Sequence, residues 1–331
     1  MCVNFSRAQE KIVKEIRFPY SATIKSKSFQ VQDVVFGKTP ALVVTNDYVV
    51  VVRTFTEPLF QIFSLLGLAY LGGVGRKGKG PDELEFPDAR TAVKTNNGFK
   101  VFDVHKGYMY VDITGYKNKK EFTIKNLKVP GELYILNDAI QLNDSIIIGL
   151  PEGWKTDKLN VMYNIHTGKI NYFGSYPTIF PERYKNLYWG AFWRHSVAKP
   201  DGTKFASYFN GVKMFRIYNA SGRVEVEKIM KVFKLFEGKS FSQDPKKVYY
   251  NVVRAGDKYI YALDLDEYRE KLLESYPAIE IWDWQGNPVA RLTLDHHIQS
   301  FDISPDGNGI YAFDREITNE ILYYDLHNIV K

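Results

Sequence analysis

The chain has 331 residues, with 44 Lys and Arg against 38 Asp and Glu, and a formal net charge of +6. Hydrophobic residues make up 45% and charged residues 25% of it, which is typical of a folded protein and excludes a disordered linker. The single cysteine, Cys2, excludes an intramolecular disulfide framework and a cysteine-based zinc cluster. The basic residues are scattered, so the concentrated positive surface that binds nucleic acid is not predicted.

The first 75 residues bear on whether the protein is secreted, lipid-anchored or membrane-spanning. No secretory signal peptide is predicted, because no apolar run follows a basic start. Cys2 directly after Met1 stands where the acylated cysteine of a bacterial lipoprotein would stand, and a chance free cysteine is the alternative. Residues 58–75 lack charge over a membrane-spanning length, but their glycines and short apolar runs favour two strands, so no transmembrane span is predicted.

A repeat organises the rest of the chain. Short runs rich in Val, Ile, Tyr and Phe alternate with tight Asn, Asp and Gly turns, the pattern of an all-β protein. Six related turns recur at residues 45–47, 95–98, 142–144, 199–202, 255–257 and 304–307. Their spacing of roughly 50 residues, with four strands in each unit, predicts a six-bladed β-propeller.

We predict one domain over residues 1–331. The predicted blades span residues 38–75, 87–125, 132–174, 187–230, 247–294 and 297–326. The last unit lacks its outer strand, and residues 11–18 have strand character. We therefore expect this N-terminal strand to complete the last blade and close the ring, which protects the open edges.

The connections between predicted strands differ in length. The long ones, residues 75–87, 152–158, 174–188, 231–247 and 265–277, all fall on the face where the inner strands begin. The last of them has a helix-forming composition with early acidic residues and predicts a short helix. Long loops on a rigid scaffold are where binding usually resides, so this face is the predicted binding face.

Aligning the inner strands by their turns predicts a polar site at the channel mouth. The residues placed there are Asp88, Arg90, Asn137, Asp138, Arg194, His195, Tyr250, Asn251, His297 and Gln299. Convergent polar groups on an apolar scaffold indicate a ligand site, although propeller channels are polar in any case. In the 174–188 loop, Tyr176, Phe180 and Tyr184 are candidate stacking residues for a ligand, with core packing as the alternative.

Residues 71–84 read Leu-Gly-Gly-Val-Gly-Arg-Lys-Gly-Lys-Gly-Pro-Asp-Glu-Leu. This segment resembles the interblade signature of the TolB-like six-bladed propellers common in Bacteroidetes, and it is more distantly similar to the NHL repeat. Residues 37–50 are similar to the opening blade of that family. The resemblance covers nearly the whole chain and implies a six-bladed fold. Because such proteins are often envelope lipoproteins, it also implies a periplasmic or surface location and lipidation of Cys2.

The predicted function is a non-enzymatic propeller of the bacterial cell envelope that binds a small molecule, glycan or protein on the long-loop face. One alternative is a metal-dependent, lactonase-like hydrolase, in which Asp88 and Asp138, with Asn137 and Asn251, would hold calcium. Arg90 and Arg194 would oppose a cation and could instead clamp a carboxylate or phosphate. A structural subunit of an envelope complex is a further alternative. No cofactor is predicted beyond that calcium.

Overall fold

The computed structural model describes residues 10–12, 14–31, 36, 40–133, 136–151, 156–179, 191–233, 247–317, 319–327 and 329. These residues form six sheets of at least four strands, arranged as the blades of a propeller, and all strand pairs are antiparallel except one parallel pair at the outer edge of the fifth blade. The fold class predicted from the sequence is therefore confirmed. No helix among these residues is long and apolar enough to cross a membrane.

Each of the first three blades is built from four consecutive strands. Blade 1 contains β4 (Ala41–Val44), β5 (Tyr48–Val52), β6 (Phe60–Ser64) and β7 (Tyr70–Val74). Blade 2 contains β8 (Pro87–Thr95), β9 (Gly98–Asp103), β10 (Gly107–Asp112) and β11 (Thr123–Leu127). Blade 3 contains β12 (Asn137–Asn143), β13 (Ile146–Leu150), β14 (Asn160–Asn164) and β15 (Ile170–Phe173).

The last three blades also take strands from the N-terminal segment. Blade 4 contains β16 (Arg194–Ala198), β17 (Lys204–Phe209), β18 (Lys213–Asn219) and β19 (Val224–Phe233), with β1 (Glu10–Ile12) added at its edge. Blade 5 contains β20 (Lys247–Ala255), β21 (Tyr259–Tyr268), β22 (Ala278–Asp283) and β23 (Pro288–Thr293), with β2 (Tyr20–Thr23) added. Blade 6 contains β24 (Ile298–Ile303), β25 (Gly309–Asp314), β26 (Glu320–Asp325) and β3 (Lys27–Gln30).

An N-terminal strand completes the last blade, but it is not the expected segment. β3 pairs antiparallel with β26, whereas residues 11–18 were expected there. The early strand residues 10–12 instead pair with β19 of blade 4, and Phe18 packs edge-on against Trp282 at 5.0 Å. The N-terminal strands therefore lie at the outer edges of blades 4 and 5 before β3 closes the ring in blade 6.

Helical structure in the described residues is limited to short pieces. The helix α1 spans Tyr116–Lys119, and 3-10 turns span Gly131–Leu133 and Arg269–Lys271. The short helix expected within residues 265–277 is reduced to the last of these turns, because β21 continues as a strand through Tyr268.

The core lies between neighbouring blades. The inner strands β4, β8, β12, β16, β20 and β24 follow one another around the channel. Aromatic side chains meet across the blade interfaces: Phe60 of blade 1 contacts Phe99 of blade 2 at 4.8 Å, and Tyr208 of blade 4 contacts Tyr250 of blade 5 at 5.0 Å. Burial of such large apolar surfaces supplies most of the driving force that holds the ring together.

Blades 4 and 5 are joined by buried ion pairs as well as apolar contacts. The Lys213 ammonium donates to Asp264 at 2.6 Å and lies 3.1 Å from a Glu280 oxygen, and all three side chains are at least nine-tenths buried. Tyr250 donates a hydrogen bond to the other Glu280 oxygen at 2.8 Å. Burial and the nearby Asp264 raise the pKa of Glu280, while Asp264 and Glu280 raise the pKa of Lys213 although burial alone would lower it.

Candidate functional site

A cavity of about 210 Å³ lies where the inner strands begin, and all six blades contribute residues to its wall. Its charged and larger polar side chains are those of Asp88, Arg90, Asp138, Arg194, His195, Asn251, Arg254, Gln299 and Arg315. We call this cavity the mouth pocket. It is smaller than the roughly 300–1,000 Å³ of sites that hold drug-sized ligands, so it suits a small metabolite rather than a polymer.

Most of the residues predicted at the channel mouth converge on this pocket. Asp88, Arg90, Asp138, Arg194, His195 and Asn251 all line it, together with Gln299.

Other predicted residues lie elsewhere. His297 is outside the described lining, because its ring stacks on Tyr276 of the long blade-5 loop at 4.8 Å. Tyr250 points between blades 4 and 5, and Tyr176 packs against Phe192 at 5.6 Å. The side chain of Asn137, together with Phe180, Tyr184 and Cys2, lies outside the described residues.

Backbone irregularities turn several of these side chains into the pocket. The pairing of β8 with β9 shifts register between Asp88 and Val93, and that of β12 with β13 shifts between Asn137 and Ile140. β20 and β24 show the same feature on either side of Asn251 and Gln299. A bulge breaks the strict alternation of side chains and re-aims them, so the site exists because four inner strands are irregular at the same level.

Asp138 links blade 3 to blade 4 at the site. It adopts a left-handed conformation with φ of 55°, which aspartate tolerates better than most residues. Its carboxylate accepts from Arg194 Nε at 3.1 Å and from the Ser196 amide at 2.6 Å, and it also accepts from the Ser196 hydroxyl. Burial raises the pKa of Asp138, and Arg194 opposes that effect.

Asp88 and Arg90 form a second carboxylate–arginine pair at the rim. The Arg90 guanidinium donates two parallel hydrogen bonds to Asp88, at 2.9 and 2.7 Å. The same guanidinium lies over the Trp193 ring, 5.6 Å from its centroid. Because Arg90 belongs to blade 2 and Trp193 immediately precedes blade 4, the side chain reaches across the start of blade 3.

These pairs do not suit a divalent cation. The carboxylates of Asp88 and Asp138, the two main ligands predicted for a metal, are both occupied by arginines. No group of three His, Cys, Asp or Glu residues in the described part of the chain is placed to hold a metal. A hard cation would need those oxygens free and would be repelled by the guanidinium groups beside them.

Two arginines in the pocket were missed by the sequence analysis. Arg254 lies on β20 and is 6% exposed, and Arg315 directly follows β25. Arg315 could have been found, because the second strand of a blade ends on the same face as the first begins. Asn251 and Arg254 are three residues apart on β20, so strict alternation would put their side chains on opposite faces of the strand. The register shift between Tyr250 and Val252 lets both line the pocket.

His195 is an uncharged member of the site at neutral pH. Burial, followed by repulsion from Arg90, lowers its pKa to about 3. The imidazole therefore offers one hydrogen-bond donor and one acceptor without adding charge.

Comparison with known proteins shows the fold alone. No protein-family profile matches the chain, and no curated protein matches its sequence. A DUF4221 family protein from Bacteroides vulgatus ATCC 8482 superposes with a TM-score of 0.56 at 13% identity, over 97% of this chain and 98% of that one. A candidate exported protein from Bacteroides fragilis NCTC 9343 gives 0.51 at 11% identity, over 92% and 98%. The WD40 domain of Neurospora crassa Pan2 gives 0.51 at 9% identity, over 95% and 99%.

Proposed function

We propose that this protein is a non-enzymatic binding propeller that holds a small ligand in the mouth pocket. The observation that carries the proposal is the convergence of polar side chains from blades 2 to 6 on one cavity, brought about by bulges at the starts of inner strands. A propeller channel would be polar without such bulges. Their presence at one level favours a site adapted to a ligand.

The other functions expected from the sequence have less support. A metal-dependent hydrolase would need Asp88 and Asp138 as ligands, and both carboxylates are bound by arginines. A structural subunit that binds its partner through the aromatic residues of the 174–188 loop would need those residues exposed, and Tyr176, the only one of them among the described residues, packs on Phe192. Binding in the mouth pocket therefore remains the function that the geometry favours.

The experiment is a thermal-shift screen with four classes of small compound: neutral sugars, amines, carboxylates and phosphates. A ligand that binds the native state and not the unfolded state raises the melting temperature, because it stabilises the folded protein by RT ln(1 + [L]/Kd). Asn251→Trp fills the half-buried wall of the pocket and should abolish the shift. Gln285→Trp, at an exposed turn on the opposite face, should retain it. If no class gives a shift, or if Asn251→Trp leaves every shift intact, the proposal is wrong.

We further propose that the protein acts in the cell envelope as a lipoprotein. The resemblance to TolB-like envelope propellers, the candidate exported protein among the structural neighbours and the position of Cys2 support this location. Expression of the full-length gene product in a Bacteroides host, followed by detergent partition, tests it. The wild type should enter the detergent phase, and Cys2→Ser should move to the aqueous phase. Equal partition of the two proteins would exclude the anchor.

A further inference from the structure

We propose that the ligand of the mouth pocket is a small organic anion, whose acid group is bound by Arg254 and Arg315. This inference rests on the proposed binding function and names the chemical class of its ligand. It differs from the expectation drawn from the sequence, in which Arg90 and Arg194 would act as the clamp.

The charges that line the pocket do not balance. Four arginines line it, and only two carboxylates, Asp88 and Asp138, lie among the lining residues. Those two carboxylates are paired with Arg90 and Arg194, and His195 adds no positive charge at neutral pH. No lining carboxylate is therefore left for Arg254 and Arg315, although Arg254 lies 3.4 Å from Asp302, which is not among the lining residues. Low-dielectric surroundings strengthen the attraction of both arginines for an anion that enters.

Arg254 is held in place from behind but keeps bonding capacity. Its terminal nitrogens donate to the carbonyls of Val253 and Leu42, at 3.1 and 3.4 Å. Its Nε lies 3.4 Å from Asp302 without forming a hydrogen bond, and it has no other acceptor among the described residues. Asp302 itself accepts hydrogen bonds from the backbone amides of Val44 and Ile303, so these amides already stabilise part of its negative charge. Burial lowers the pKa of Arg254, and Asp302 only partly offsets this.

Arg315 is the more available of the two. In the described part of the chain no group accepts a hydrogen bond from its guanidinium. The adjacent Asp314 is already occupied, because the His297 amide donates to it at 3.0 Å and the His296 ring lies 3.3 Å away. Burial lowers the pKa of Arg315, Asp314 opposes the effect and Arg269 adds to it. A half-buried cation with a weak counter-charge is stabilised when an anion binds.

The remaining wall fits a small polar acid. Asn251 and Gln299 supply amide groups from the same two blades that carry Arg254 and Arg315, and His195 supplies a neutral donor and acceptor. A cavity of about 210 Å³ admits a compound of metabolite size but excludes a polymer chain. The guanidinium fork binds carboxylates and phosphates alike, so the acid group belongs to one of these two chemistries.

Isothermal titration calorimetry at low salt tests the inference with four probes: succinate, glycerol 3-phosphate, inorganic phosphate and the neutral succinamide. We expect at least one of the organic acids to bind with one-to-one stoichiometry and succinamide to give no heat of binding. The organic acid that binds more tightly identifies the chemistry of the acid group. Inorganic phosphate as the sole binder would overturn the organic part of the proposal.

Arg315→Gln is the decisive variant, because it removes the charge without leaving a described partner unpaired. We expect it to raise Kd by about tenfold or more, as loss of a charge-assisted hydrogen bond should. Arg223→Gln removes the same charge from an exposed turn on the opposite face and should leave Kd unchanged. Arg254→Lys keeps the charge but loses the fork, and it should also weaken binding.

Two results would overturn the proposal: no binding of either organic acid at about 10 mM, a concentration at which even weak sites fill, or equal Kd values for the wild type and Arg315→Gln. If neutral sugars or amines shift the melting temperature and Asn251→Trp abolishes that shift while the acids fail, the binding function stands and only the anion assignment falls. If no compound class binds, both proposals fail.

Discussion

Asp88 and Asp138 owe their chemistry to the residues beside them. A carboxylate at a channel mouth suggests a metal ligand, but an arginine that donates two hydrogen bonds to it occupies the same oxygens. The sequence placed Arg90 and Arg194 near these carboxylates without showing which groups pair. The pairing depends on the left-handed backbone at Asp138 and on the bulge after Asp88, and neither leaves a clear signal in the sequence.

His195 should make the stability of the protein sensitive to mild acid. Its pKa of about 3 in the folded state lies below the value near 6.5 of an unfolded chain, so the unfolded state takes up the proton first. The contribution of His195 to the free energy of unfolding is therefore at its maximum above pH 6.5 and falls steadily as the pH is lowered toward 3. The slope from this one group is at most about 1.4 kcal/mol per pH unit. Urea denaturation at pH 7, 6 and 5 measures it.

His195→Gln should flatten this dependence between pH 7 and 5, because glutamine has no proton to take up. His166→Gln, at an exposed turn, is the matched control and should keep the wild-type slope. Identical slopes for the wild type and His195→Gln would show that the folded protein does not depress the pKa of His195.

At the scale of strands and blades, the hairpins could be predicted from the sequence and the bulges could not. Tight turns are local, so residues such as Asn143 and Asp201, whose side chains accept backbone amides two residues on, identify the hairpins from sequence. The bulges in β8, β12, β20 and β24 interrupt runs that look like ordinary strands. The bulges therefore determine which side chains face the mouth pocket, although the residue pattern does not predict them.

The ion pairs between blades 4 and 5 should be costly to break. Lys213→Met removes the ammonium but keeps the apolar stem, leaving the partly exposed Arg291 as the remaining cation beside the buried Asp264 and Glu280. We expect a loss of about 3 kcal/mol in the free energy of unfolding, the lower end of the usual effect of removing one partner from a buried pair, because Arg291 still compensates part of the charge. Urea denaturation at pH 8 measures it.

The loss should shrink as the pH falls from 8 toward 5. The pKa of Glu280 is already raised by burial, and loss of Lys213 raises it further. In the variant the carboxyl group therefore takes up a proton as the pH falls, and the destabilising buried negative charge disappears. Lys258→Met, at an exposed turn, should change stability by no more than about 0.5 kcal/mol. A loss for Lys213→Met as small as that of the control would mean that the pairs contribute nothing net.

For the whole molecule, the sequence predicted the number of blades but misplaced the closing strand. The blade count follows from a repeat of turn chemistry, which is local. Ring closure is long-range, and both residues 11–18 and Lys27–Gln30 have compositions that a strand can use. The structure resolves the choice, because Gln30 lies opposite Glu320 in the last blade.

Joining that pair covalently should stabilise the ring. Gln30→Cys with Glu320→Cys, made in a Cys2→Ser background, places two cysteines at facing positions on adjacent strands. The disulfide would close a loop of almost the whole chain, and the entropy argument gives up to about 5 kcal/mol. The melting temperature should be higher in the oxidised form of this variant than in its reduced form.

Either single cysteine variant should show no dependence of the melting temperature on reductant. If the paired cysteines fail to oxidise in the folded protein, the assignment of Lys27–Gln30 as the closing strand would be wrong. The corresponding pair at residues 11–18 would then be the next to test.

The N-terminal strands also constrain the order in which the protein folds. β1, β2 and β3 pair with β19, β23 and β26, each of which lies more than 200 residues further along the sequence. Blades 1 to 3 contain only consecutive strands, so each can form from a local stretch of sequence. Blades 4 to 6 need contacts of very long sequence separation, whose loop-closure entropy makes them slow to form. We therefore expect the ring to close in the last step of folding, after the first three blades have formed.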